Sequence, residues 1–359
     1  MSDMPRGDLT GPVLVVGAGL LGTSLALALR RHRVEVFLSD PNREHIRTAS
    51  GLGAGIEHHG EPVQLVVVAV PPDHLGPVIA GALTTTDAVV TDVGSVKSQP
   101  LDHVLSVAPD AVDRYVGSHP MAGSERSGPL TASGTLFEGR PWAITPHERA
   151  PEPAVALVRE LVELCGGVPL ELAPDEHDAA VARTSHLPHL MSALVAGRLA
   201  NAPVDQLALS GPGVRDVTRI AGSDPGMWLQ IITANQPAVL ALLDEVTVRL
   251  GDLRAAVADG SRAALEKVLA EGVAGTRAIP GKHGGPAQPT ESVFVAVPDH
   301  PGELARLFAD AGEIGVNIED VHIDHDPGRP VGQVELVVEA ARAPHLVTSL
   351  TSRGWDVRE

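Results

Sequence analysis

Nine consecutive residues, Gly117-Ser118-His119-Pro120-Met121-Ala122-Gly123-Ser124-Glu125, bring together a histidine, a carboxylate and two hydroxyls. They follow Arg114-Tyr115-Val116, which reads as a short strand, so the polar stretch is expected as a loop at a strand end. An imidazole titrates near neutral pH, so His119 can serve as a general base; the alternative is a structural histidine that ties the loop down. Ser95 can hydrogen-bond a ligand hydroxyl or His119, or simply cap the Val96-Lys97 segment. Glu125 can pair with an arginine at a pocket mouth or stay solvated. Further on, His186 and His189 stand three apart on one face of a predicted helix that Pro188 should kink. His-x-x-His can be half of a metal site, but no cysteine or acid with ligand spacing accompanies it. Two imidazoles facing an anion-binding cleft is the preferred reading, and no metal is expected. In Arg215-Asp216-Val217-Thr218-Arg219, one arginine can pair with Asp216 and leave the other to bind a carboxylate in bidentate fashion. Trp228 can wall such a pocket or pack in a core.

The elements that must position these groups begin with Val13 to Val16, a continuous apolar run expected of a strand buried on both faces. Gly17-Ala18-Gly19-Leu20-Leu21-Gly22 follows at once, then a helical pattern from Leu20 to Leu29, a second strand Val34 to Leu38, and Asp40. Strand, glycine turn, helix, strand and acid in this order form the dinucleotide-binding fingerprint. Gly17 permits the tight turn, Gly19 the approach of a pyrophosphate, and Gly22 close helix packing, with the helix N-terminus facing the phosphates. Asp40 is placed to accept from ribose hydroxyls and to repel a 2′-phosphate. That favours NAD over NADP, with Arg43 the one nearby feature pointing the other way. Further buried strands are predicted at Leu65 to Val70, Ala88 to Asp92 and Pro141 to Ile144. Ligands in doubly wound sheets lie beyond the carboxyl ends of the strands, so the glycine turn, Val70, Ser95 and His119 should border one crevice.

The architecture expected is an α/β Rossmann-type doubly wound domain (10–174), an all-α substrate and dimerisation domain (175–278), a Pro/Gly-rich linker (279–290) and a βαββαβ module (291–359). The apolar helical text suggests a homodimer. A formal charge of −18 argues against a nucleic-acid partner, though not against an anionic small substrate that needs only local arginines. A single cysteine, Cys165, excludes an internal disulfide and fits a reducing compartment. With neither a signal-peptide pattern nor a membrane-spanning run, a cytoplasmic protein with no membrane partner is expected.

Taken together, several of these motifs resemble the prephenate/arogenate dehydrogenase family over nearly the whole length. They are Gly17 to Gly22, Asp92-Val93-Gly94-Ser95-Val96-Lys97, His119 to Glu125, Ser185 to His189, Arg215 to Ala221, and Asp224 to Trp228. The tail, Val297 to Leu304 with Gly315 to Ile318, looks like an ACT domain. The resemblance implies NAD-dependent oxidative decarboxylation of prephenate in tyrosine biosynthesis. It implies that His119 accepts the proton of the ring hydroxyl as hydride leaves, with Ser95 holding the hydroxyl and His119 in register. Arg219 would bind the ring carboxylate, His186 and His189 the other polar groups, and Glu125 would gate the pocket by pairing with Arg219. Ser124 and Trp228 would complete the substrate site. An amino-acid effector such as tyrosine would bind at Asp299, Pro301, Gly302, Asn317 and Ile318. Arogenate as substrate is the nearest alternative. A non-catalytic NAD and amino-acid sensor is a more distant one, since a sensor need not keep a base.

Overall fold

In the computed structural model, residues 9–123, 127–280, 289–325 and 331–358 are described. The chain separates into two compact units, Met1–Val248 and Arg249–Glu359.

The first unit opens with a parallel five-stranded sheet of β1 (Val13–Val16), β2 (Val36–Ser39), β3 (Ile56–Glu57), β4 (Leu65–Val68) and β5 (Val89–Asp92), in the order β3-β2-β1-β4-β5. Its central strands are continuously apolar because both faces are covered. Val13, Val15, Leu65 and Val67 pack with Leu25, Leu29, Val158 and Leu161 from helices Leu20–Arg31 and Glu152–Leu164. The alternate residues Leu14, Val66 and Val68 pack with Ile79, Leu83 and Val104 from helices Leu75–Thr85 and Ser98–Val107. The chain reverses its direction of travel across the sheet between β1 and β4, which creates the switch-point crevice where such sheets bind nucleotides.

The first four residues of the stretch expected as a loop form a strand. β6 (Gly117–Pro120) pairs antiparallel with β7 (Pro141–Thr145), and β7 pairs parallel with β8 (Val168–Glu171) in a separate three-stranded sheet. Tyr115 contributes only a single bridge, to Val90 of β5, and this joins the two sheets. Proline is tolerated in β6 because it is an edge strand.

Helices then follow without strands to Val248: Pro174–Val181, Leu187–Leu199, Val204–Leu207, Pro212–Thr218, Pro225–Ala234 and the start of Gln236–Ala258. A π-helical turn, Ala182–His186, joins the first two. It sets Pro188 in the first turn of the next helix, where a missing amide costs little. The expected proline kink is thus a widened turn. Helices Pro225–Ala234 and Gln236–Ala258 meet at 94° around Asn235. Among the described residues no single helix is long and apolar enough to cross a membrane.

In the second unit, β9 (Thr290–Pro298), β10 (Ile318–His325), β11 (Val331–Glu339) and β12 (Asp356–Arg358) form an antiparallel sheet ordered β10-β11-β9-β12. With helices Glu303–Glu313 and Ala343–Ser352 this gives the expected βαββαβ order. Val293, Val295, Leu336, Leu346, Leu350 and Trp355 fill its core, and the Arg306 guanidinium lies 4.1 Å from the Trp355 ring centre.

Candidate active site

The glycine turn has the backbone its sequence demands. Gly17 sits at φ +103°, where a side chain would also strike the Ala69 carbonyl at the end of β4. A Cβ on Gly22 would strike the Gly17 carbonyl. Gly19 has no atom within 4 Å of a notional Cβ, which leaves the helix N-terminus open for a phosphate. Leu20 and Leu21 open the helix, and Val70 lies two residues past the end of β4. Asp40 is aimed at this turn: one carboxylate oxygen accepts from the Ala18 amide at 2.7 Å and the other from the Asn42 amide at 2.7 Å. Open backbone donors, close strand–helix packing and an acid at the end of β2 fit a dinucleotide.

His119 lies on β6, half-buried, and its Nδ1 is 2.9 Å from Nε2 of His177, on helix Pro174–Val181. His177 Nδ1 is in turn 2.9 Å from Asp178 Oδ1. Asp178 also accepts from the backbone amides of Lys97 and Ser98, each at 2.8 Å, and so ties the helical region to the turn after β5. Beneath His119 is a buried polar floor. The Lys97 ammonium pairs with Asp92 and donates to the Ser118 carbonyl at 2.7 Å. Tyr115 donates to the second Asp92 oxygen at 2.8 Å, and Ser118 Oγ donates to the Asp92 carbonyl at 2.7 Å and accepts from the Trp142 indole at 3.1 Å. Just past β6, Met121, Ala122 and Gly123 line a cavity of about 200 Å³ with Leu136 and Arg140.

This surrounding sets the protonation states. Burial, reinforced by the neighbouring His177, Lys97 and His186, holds the His119 imidazole well below its ordinary pKa. Burial likewise lowers His186, to about 4. Burial alone would raise the Asp178 carboxyl, but hydrogen bonds from His177 and Ser98 outweigh it and hold the group low. The two histidines therefore enter the neutral pH range as free bases. In the unfolded chain they titrate near about 6.5. Below that pH the unfolded chain binds protons that the folded chain refuses, so stability rises with pH across the window and is lost as pH falls from about 6.5 towards 4. The urea midpoint is expected to drop between pH 7 and pH 5; an unchanged midpoint would contradict neutral burial of these rings.

Other predicted residues are placed as follows. His186 and His189 both meet Trp228, edge-on with centroids 6.2 Å apart and stacked at 3.6 Å. The Asn235 amide nitrogen, at the sharp helix junction, donates to the Asp178 carbonyl at 2.8 Å and lies 3.1 Å from His186 Nδ1. Gln230 reaches the Asp73 amide after β4, so the Trp228 helix approaches the carboxyl end of the sheet. Arg219 starts a short 3-10 turn packed on helix Leu187–Leu199, is exposed, and makes no hydrogen bond or ion pair with a described residue. Neither Arg215 nor Asp216 forms the anticipated ion pair among the described residues. Ser95, half-buried in the turn after β5, makes no hydrogen bond to His119, and the following helix starts only at Ser98, so it is no N-cap. The ring's partner is His177 instead. Ser124 and Glu125 lie outside the described residues.

Sequence reasoning missed His177, Asp178 and Asn235 and gave Lys97 no role. The signal available was a histidine set among three acids, Asp175-Glu176-His177-Asp178, where the helical text begins. In the second unit Asp299, Pro301 and Gly302 follow β9, whereas Ile318 aligns through β11 with Glu291 near the start of β9. Asn317 adjoins Ile318 and donates to Glu319 at 2.6 Å. One copy therefore holds the five predicted effector residues at opposite ends of the sheet, about 25 Å apart by strand rise.

Residues 25–171 match the family model of the prephenate dehydrogenase nucleotide-binding domain, and residues 173–271 that of the prephenate dehydrogenase dimerization domain. The chain belongs to the prephenate dehydrogenase family. A probable prephenate dehydrogenase of Streptomyces niveus is 35% identical over 355 residues, 95% of this chain and 98% of the relative. Among solved structures, prephenate dehydrogenase from A. aeolicus, in complex with hydroxyphenyl propionate and NAD+, has a TM-score of 0.67 at 28% identity, covering 77% of this chain and 99% of its own. Synechocystis arogenate dehydrogenase has a TM-score of 0.64 at 27% identity, covering 74% and 98%. As a member of the prephenate dehydrogenase family, the chain is an NAD-dependent oxidoreductase with a Rossmann-like nucleotide-binding domain and a helical dimerisation domain.

Proposed function

We propose that this chain catalyses the NAD-dependent oxidative decarboxylation of prephenate to 4-hydroxyphenylpyruvate. The observation that carries the reading is His119: an imidazole kept unprotonated by its surroundings, held by His177 on the helical side. NAD, when bound, supplies the hydride acceptor. Gly17, Gly19, Leu20, Leu21, Gly22, Asp40 and Val70 would hold it, with Ser95 at the edge of the same crevice. His119 accepts the proton of the ring hydroxyl as hydride leaves that carbon. The electron pair of the ring–carboxylate bond then passes into the ring, CO₂ departs, and the oxygen regains a proton as the ring becomes aromatic. Ser95 is assigned to the ring hydroxyl alone. Arg219 orients the departing carboxylate; tight binding of it would oppose its loss, so its task is placement. His186, His189 and Trp228 wall the opposite side, and Ser124 and Glu125 are assigned to the pocket mouth.

Dimerisation through the helical domain is supported by exposed apolar side chains along it, among them Leu194, Val204, Leu209 and Leu229. We also assign the tail as an ACT module binding an amino-acid effector, tyrosine being the end product to sense. With the five predicted effector residues split between sheet ends, a second copy is needed to bring both groups to one ligand. A single buried cysteine, with no single helix among the described residues long and apolar enough to span a membrane, supports a cytoplasmic setting. The test is a steady-state assay crossing prephenate and arogenate with NAD and NADP, with and without tyrosine. Turnover of prephenate with NAD, inhibited by tyrosine, is expected. Preference for arogenate would reassign the substrate, and no turnover of either would overturn the reading.

A further inference from the structure

The Asp178 carboxylate is an acceptor at both oxygens. Oδ1 takes the Lys97 amide and Oδ2 the Ser98 amide, each at 2.8 Å, and backbone amides can only donate. His177 Nδ1, 2.9 Å from Oδ1, must then carry its proton. A neutral His177 has its lone pair on Nε2, the atom facing His119 Nδ1 at 2.9 Å. Two bare lone pairs cannot face each other at that distance, so His119 Nδ1 is the N–H. The lone pair of neutral His119 is left on Nε2, the ring nitrogen turned away from His177.

We propose that Asp178 and His177 are positioning residues that fix the tautomer of His119, making Nε2 the atom that takes the substrate proton. When it does so, the Nδ1–H bond to His177 survives unchanged, so the imidazolium forms without any reorganisation of its partner. The device also reaches between two parts of the fold. Asp178 belongs to the helical region, whereas the amides it grips close the turn after β5 and open helix Ser98–Val107, so a shift of one against the other would release the tautomer. The inference rests on the reading of His119 as the base.

The test uses the full chain and two readouts. By ¹⁵N NMR of histidine-labelled protein, with the His119 signals assigned through His119→Asn, the parent should show His119 protonated at Nδ1. In Asp178→Asn a neutral amide replaces the carboxylate that fixes the His177 Nδ1–H, so the His119 proton is no longer held on Nδ1 and spreads to Nε2. Its kcat should fall by about 100-fold with KM for prephenate little changed. His177→Gln offers an oxygen where His177 Nε2 stood, and so should retain clearly more activity than His177→Leu. That pair decides the matter if Asp178→Asn does not fold. An Nε2–H tautomer in the parent, full kcat in Asp178→Asn, or equal losses in the Gln and Leu variants would overturn the proposal. A parent inert with prephenate and arogenate would instead remove the base reading, leaving the NMR result to decide the tautomer.

Discussion

Replacing His119 by asparagine is expected to lower kcat by about 10³-fold while leaving NAD affinity where it was. Asparagine is the informative choice because its amide nitrogen stands where Nδ1 stood and can still donate to His177. β6 keeps its anchor and its pairing with β7, so the loss reports the missing proton acceptor and little else. The cofactor turn, built from Gly17 to Gly22 and Asp40, is not touched. Turnover is followed by NADH formation and affinity by NAD titration. A kcat near that of the parent would remove His119 from the chemistry. A large loss of NAD affinity would instead mark it as part of the cofactor site.

The second large effect falls on stability. Lys97→Met is expected to cost about 3–5 kcal/mol, because it leaves the Asp92 carboxylate buried without its counter-charge. Lys97 is only 1% exposed and Asp92 fully buried, so water cannot take the ammonium's place. Burial pulls the Lys97 pKa down and Asp92 opposes it, the signature of a pair held together by its own attraction. The Ser118 carbonyl, one residue before His119, would lose its donor too. Urea unfolding measures the loss, and the double variant Asp92→Asn/Lys97→Met should recover part of it, since the two changes share one contact. A loss below about 1 kcal/mol would mean that the pair is dispensable to the fold.

The parts of this molecule that were legible in its sequence are those fixed by local physics. A strand buried on both faces must be continuously apolar, and Val13 to Val16 and Leu65 to Val68 are. A helix N-terminus that admits a phosphate needs glycine, and Gly17, Gly19 and Gly22 supply it. β6 was hidden because Gly117 and Pro120 speak against a strand, and only an edge position next to β7 makes them tolerable. Helix Ser98–Val107 was hidden by Pro100, which is harmless in a first turn. The His119–His177 contact spans 58 positions and two parts of the fold, and nothing near either residue announces it. Lys97 stood within a recognisable motif, yet its task depends on Asp92 and Ser118 closing over it. Nothing beside Asn235 in the sequence marks it, and it is the 94° junction that places its amide between Asp178 and His186.

The π-helical turn at Ala182–His186 has a consequence for how this chain can change. Such a turn holds one residue more than an α-helix needs over the same rise. Deleting one of Ala182 to Ser185 would leave a regular helix over nearly the same rise, so His189 would still face as it does relative to His177 and Asp178. Removing a residue from the regular helix Leu187–Leu199 beyond His189 meets no such surplus and would rotate all that follows in it by about 100°. Chain length can therefore vary at the turn where it cannot vary beside it.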